Sequence, residues 1–178
     1  CLFLLGGIVI LIARIQYIPE TFGMIFKYAF TPSALIGGGI GYALKTATFA
    51  ENIKLPRLSF GVFKNSGLTT IRIPASISTM SQYVFEGCNY LNTVIFAKNS
   101  KLESLSAYLF KGCNNLTSVV FEEGSKLTSV QAHAFDGAIK LKTVDFGDAK
   151  ITNIDNYAFR YCEALEEIIL PEMVTYIG

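Results

Sequence analysis

The sequence predicts an α+β chain in which a β-rich solenoid of about five rungs is preceded by hydrophobic, membrane-type helices. Three observations carry that expectation. Phe63, Phe85, Phe110, Phe135 and Phe159 recur at intervals of 22, 25, 25 and 24 residues, and a fixed period in that range marks stacked repeats. Each unit is closed by a leucine (Leu68, Leu91, Leu116, Leu141, Leu165), after which apolar residues alternate with polar ones. Residues 1–45 are instead almost uncharged and rich in glycine.

Within the repeats, the pairs Val94/Phe96, Val119/Phe121, Val144/Phe146 and Ile168/Leu170 have the period of a strand with one buried face. A second apolar pair follows at a separation of three: Ile77/Met80, Leu102/Leu105, Leu127/Val130 and Ile151/Ile154. The first member of that pair lies eight residues before the next Phe in every copy. Length differences therefore fall in the loop between strand and pair, where an outer edge can grow without moving a core. Phe, Cys and Leu at spacings of three predict a helical turn with one buried face. No single rung could cover its apolar face; stacking at about 4.8 Å would bury it continuously.

The words A-F-x-G-C-x-x-L-x-x-V-x-F, with a Tyr shortly before the Phe, resemble the leucine-rich repeats of the BspA type. The resemblance covers residues 58–178, about two thirds of the chain. It implies a curved repeat domain of surface or secreted proteins that binds other molecules without catalysis. The first copy, around Phe63, has Asn65-Ser66 for Gly-Cys and brings Leu68 one residue early, as terminal rungs often do.

The N-terminal part is read as membrane helices over 1–45, joined by a linker over 46–57. Residues 1–13 are apolar with two glycines, too short alone to cross a bilayer of about 30 Å. A span cut at its N-terminus fits. A secretory signal would place its basic residues first, whereas Arg14 follows the run; a buried soluble helix is the third option. Both chain ends look cut, since the sequence opens on Cys1 and stops within a rung at Gly178. Thr31-Pro32 interrupts a second helix, because proline lacks a donor and pushes its predecessor out of helical space. Glycines 37, 38, 39 and 41 then permit either close helix contact or a flexible loop.

Ile18-Pro-x-x-Phe-x-x-Ile-Phe-x-x-Ala-Phe-Thr-Pro-x-Ala-x-x-Gly-Gly38 resembles a region of the alanine/glycine:cation symporters. That likeness implies a fragment of a sodium- or proton-coupled carrier, with a lipid bilayer around residues 1–45 and, in a complete symporter, a sodium ion and a small amino acid as partners. Past Lys45 the likeness ends. A fragment could not transport by itself, because such sites need helices from both halves of the carrier. Together the two resemblances imply a membrane protein whose repeats are extracellular or at the cell surface.

Composition excludes several classes. A net charge of +1 without a basic cluster predicts no nucleic-acid partner. With one histidine, His133, neither a His-based triad nor a multi-histidine metal site is available, and the cysteines lack zinc spacing. No phosphate-cradling or dinucleotide fingerprint appears, so no enzyme, cofactor or metal is expected. His133 occupies the slot of Tyr83, Tyr108 and Tyr157 and is expected to replace a tyrosine ring. Cys88, Cys113 and Cys162 are expected as buried thiols acting as small apolar residues; equivalent positions in adjacent rungs have parallel Cβ vectors, which disfavours a disulfide. Asn115-Leu-Thr117 matches a glycosylation sequon by a pattern that chance readily supplies.

Binding fares better. The outward strand positions Arg72, Ile95, Val120, Asp145 and Ile169 should line up as an apolar strip with charged margins, beside a row of Thr70, Thr93, Ser118, Thr143 and Glu167. A protein or surface ligand docking on that strand face is the expected partner.

Overall fold

The computed structural model describes residues 44–50 and 52–178. Among these the chain forms short strands in the order β1 (Arg57–Leu58), β2 (Thr70–Ile73), β3 (Thr79–Met80), β4 (Thr93–Phe96), β5 (Ser104–Leu105), β6 (Ser118–Phe121), β7 (Ser129–Val130), β8 (Thr143–Asp145), β9 (Asn153–Ile154) and β10 (Tyr176–Ile177). The strands β2-β4-β6-β8 make one parallel sheet, β5-β7-β9-β10 a second, and β1 pairs with β3. Four consecutive rungs contribute one strand to each side, as β2/β3, β4/β5, β6/β7 and β8/β9, while β1 and β10 extend the second side alone.

Register follows the period-2 pattern. Ile71, Val94, Val119 and Val144 are mutual neighbours facing inward, and so are Ile73, Phe96 and Phe121. All of them are buried, while Arg72, Ile95 and Val120 between them, and Thr70, Thr93 and Ser118 before them, lie on the other, outward face. The rung phenylalanines form an internal pile: Phe63–Phe85, Phe85–Phe110, Phe110–Phe135 and Phe135–Phe159 have ring centroids 5.5, 5.5, 5.2 and 5.0 Å apart. A second pile runs through Phe96, Phe121 and Phe146 at 4.2 and 6.2 Å. Aromatic pairs at such distances add about 0.5–1.5 kcal/mol beyond the area they bury.

The expected helical turn is absent from the described residues; consecutive tight turns take its place. Lys111 and Cys113 donate their N–H groups three residues back, to Tyr108 and Phe110, while the alternate N–H groups of Phe110 and Gly112 reach the next rung at Ala134 and Asp136, at 2.7 and 2.9 Å. A helix would consume every amide within its own rung and leave none for the neighbour. The alternation needs left-handed backbone twice per turn, at Tyr108 (φ 60°) and Gly112 (φ 68°) in this rung. Apolar spacing of three fits both geometries, which is why the pattern alone suggested a helix.

Two boundaries also differ. The ladder reaches back into the stretch expected as a linker, for β1 includes Arg57 and the side chains of Ala47, Phe49 and Leu55 pack on the core. The expected strand at Ile168/Leu170 does not form, and the first sheet ends at β8. β8 is itself cut short where the Asp145 carboxylate accepts the Gly147 N–H at 2.8 Å, so little straight edge is offered to the next rung. The membrane-type helices expected over residues 1–45 fall almost entirely outside the described residues. Within the described residues no helix is long and apolar enough to cross a membrane.

Candidate functional site

The outer face of the β2-β4-β6-β8 sheet brings together four of the five residues singled out from sequence. Arg72, Ile95, Val120 and Asp145 are direct cross-strand neighbours, and Thr70, Thr93, Ser118 and Thr143 form the parallel row. Ile169 does not join them; it lies beyond the sheet and is 79% exposed. Ile95 and Val120 are half-buried, with Arg72 and Asp145 exposed at the margins.

A residue absent from the sequence reading completes this face. The Arg72 guanidinium reaches across the β4 rung to Glu122, just past β6, in a two-point ion pair with N···O distances of 2.5 and 2.6 Å. Glu122 also accepts the Lys98 N–H at 2.9 Å. The hydrogen bonds from Arg72, followed by that from Lys98, hold the Glu122 carboxyl down at about 2. The partners are 50 residues apart in sequence, so only the stacking reveals them. Such a partly exposed pair adds about 0–1 kcal/mol; its larger effect is to fix a flat, ordered rim beside Ile95.

The turn edge carries a different arrangement. Tyr83, Tyr108, His133 and Tyr157 form a third ring pile at 4.9, 4.9 and 5.1 Å, so His133 does stand in for a tyrosine ring. Its Nδ1 lies 3.0 Å from the Asp136 carboxylate, which also receives two hydrogen bonds from Arg160 at 2.9 and 2.7 Å. Those Arg160 bonds, with a smaller part from His133, hold the buried Asp136 carboxyl below its ordinary range. The residues immediately after the rung phenylalanines are Lys64, Glu86, Lys111, Asp136 and Arg160, a column of alternating sign. Lys64 pairs with Glu86 and Asp136 with Arg160. That alternation was readable in the sequence one position past each Phe.

Cys88, Cys113 and Cys162 are free thiols, as expected, yet they are more than apolar filler. The thiols of Cys88, Cys113 and Cys162 each donate to the carbonyl of the preceding rung's phenylalanine, at 2.9, 3.0 and 3.3 Å. Burial pushes Cys88 up to about 11, Cys162 up to about 12 and Cys113 well above its ordinary value, so none is a ready nucleophile. Asn115 of the sequon is likewise engaged: its amide donates to the Asn89 carbonyl and its oxygen accepts from Lys140. No group of three or more His, Cys, Asp or Glu side chains converges on one point among the described residues.

Rungs that each give one strand to a parallel sheet, close with a leucine and leave the outer sheet face open define a leucine-rich repeat protein. The chain belongs to the family of BspA type leucine-rich repeat regions, whose profile matches residues 14–124 and 96–178. Among solved structures it is similar to a leucine-rich repeat protein from Eubacterium ventriosum at 28% identity and a TM-score of 0.64, over 74% of this chain and 34% of that one. A leucine-rich repeat protein from Bacteroides ovatus matches at 20% identity and a TM-score of 0.43, over 74% and 44% of the respective chains. The chain thus spans less than half the length of either neighbour. No curated relative matches it. The symporter likeness of residues 1–45 finds no support in these matches, and the repeat match itself begins at residue 14. The bilayer, sodium and amino-acid partners likewise find no support in these matches.

Proposed function

We propose that this chain is a non-enzymatic binding module that offers the outer face of its β2-β4-β6-β8 sheet to a protein ligand, at a cell surface. The observation that carries the reading is the cross-strand alignment of Arg72, Ile95, Val120 and Asp145 into an apolar centre with charged margins. Interfaces of moderate size favour that composition, a desolvated middle inside a polar rim. The Arg72–Glu122 pair is already formed in the free protein, so less side-chain freedom is lost on docking. Resemblance to surface-type repeats supports the location.

The test is a protein ligand selected for affinity to the full chain. Replacing Ile95 and Val120 together by lysine should weaken its binding by about tenfold or more with little change in melting. Retained affinity in that double variant, with loss instead on substitution of Lys111 at the turn edge, would move the binding face elsewhere.

A further inference from the structure

The outer face of the β2-β4-β6-β8 sheet has a direction of charge. Cations stand toward one side, as Arg72 on β2 and Lys98 just past β4, and anions toward the other, as Glu122 and Glu123 past β6 and Asp145 on β8. Between Arg72 and Asp145 lie the two aliphatic side chains, so the cross-strand row runs cation, Ile95, Val120, anion. The row beside it, Thr70, Thr93, Ser118 and Thr143, is uncharged and presents hydroxyls from either end. A row with opposite signs at its two ends is the complement of its own reverse.

A second copy can be turned face to face on this sheet about either of two axes, and they differ in sign. An axis crossing the strands sets Arg72 against Arg72 and Asp145 against Asp145, which repels at both margins. An axis running along the strands reverses their order, so that β2 faces β8 and β4 faces β6 of the second copy. Arg72 then meets Asp145, Ile95 meets Val120, and every contact occurs twice, as an isologous interface requires. The hydroxyl rows also meet, Thr70 on Thr143 and Thr93 on Ser118, and a hydroxyl both donates and accepts. Arg72 is not used up by Glu122: that pair takes two of the five guanidinium N–H groups, and the others can reach a second carboxylate. Asp145 in turn accepts from Gly147 with one oxygen, which leaves the other for a guanidinium. Lys98, on Glu123 within its own chain at 2.7 Å, comes opposite Glu123 of the second copy. Lys142, just before β8, falls opposite the uncharged Thr69.

We infer that the occupant of the sheet face is a second copy of this chain, in a two-fold dimer whose axis runs along the strands between β4 and β6; the inference rests on that face being the binding surface and names its partner. Sedimentation of the full chain over about a hundredfold range of concentration should show a monomer–dimer equilibrium. Arg72→Asp and Asp145→Arg should each weaken the dimer by about tenfold or more, because like charges then meet twice. The double variant R72D/D145R rebuilds both contacts with the signs exchanged and should return to within about threefold of the parent. Melting at a concentration where every variant is monomeric checks that these exposed changes leave the fold intact. A chain that stays monomeric throughout, a dimer indifferent to either single reversal, or a double variant as weak as the singles would overturn the assignment. A monomeric chain that still loses its selected protein ligand when Ile95 and Val120 become lysine would overturn the second copy as partner while leaving the face as the binding surface.

Discussion

The third and fifth rungs are written in almost the same words, Tyr108-x-Phe110-x-x-Cys113-x-x-Leu116 against Tyr157-x-Phe159-x-x-Cys162-x-x-Leu165. In the third, Phe110, Cys113 and Leu116 have no exposed surface and the following strand β6 pairs on both sides. In the fifth, Phe159, Cys162 and Leu165 are half-buried, and Ile168–Leu170 pair with nothing among the described residues. The motif is constant and the burial is not. What a rung residue contributes is set by whether a neighbour lies on both of its faces, the nearest-neighbour behaviour of stacked repeats.

Substitutions at matched positions can break or sharpen that contrast. Phe110→Ala should cost about 3–5 kcal/mol in denaturant unfolding, as a fully buried aromatic truncation. Phe159→Ala, whose one stacking partner among the described residues is Phe135, should cost this chain about 1–2 kcal/mol, roughly half of full burial; an equal cost at both sites would dissolve the distinction. Cys113→Ala should cost about 1 kcal/mol through loss of its bond to the Phe85 carbonyl. Ala138 holds the same slot in the fourth rung, so the change remains compatible with stacking. Alkylation at neutral pH should proceed, slowly, at the half-exposed Cys162 well before Cys88 or Cys113, as mass spectrometry of the native chain would show. Thr93→Ala on the outer row should cost under about 0.5 kcal/mol.

Period-2 spacing made the inward and outward columns legible, because a strand residue has only two faces to choose from. Arg72, Ile95, Val120 and Asp145 align as that spacing required. Ile169 shares the spacing but not the sheet, since a strand needs a straight neighbouring edge and Asp145 turns the previous one away. Arg72 and Glu122 meet only through the stack, and no local pattern connects them. The backward reach of the ladder did have a signal: Leu55 and Leu58 are three apart, and Leu55 lies eight residues before Phe63, the spacing of every later pair. The irregular first copy masked it. Tight turns replaced a helix because apolar spacing reports which residues face inward, and is silent about where their amides bond.

Native-state hydrogen exchange tests the nearest-neighbour account most directly. The amides of Val119 and Phe110, which lie in rungs stacked on both sides, should exchange only through global unfolding, whereas Ile168, Ile169 and Leu170 should exchange orders of magnitude faster under the same conditions. Equal protection of these two sets would contradict it.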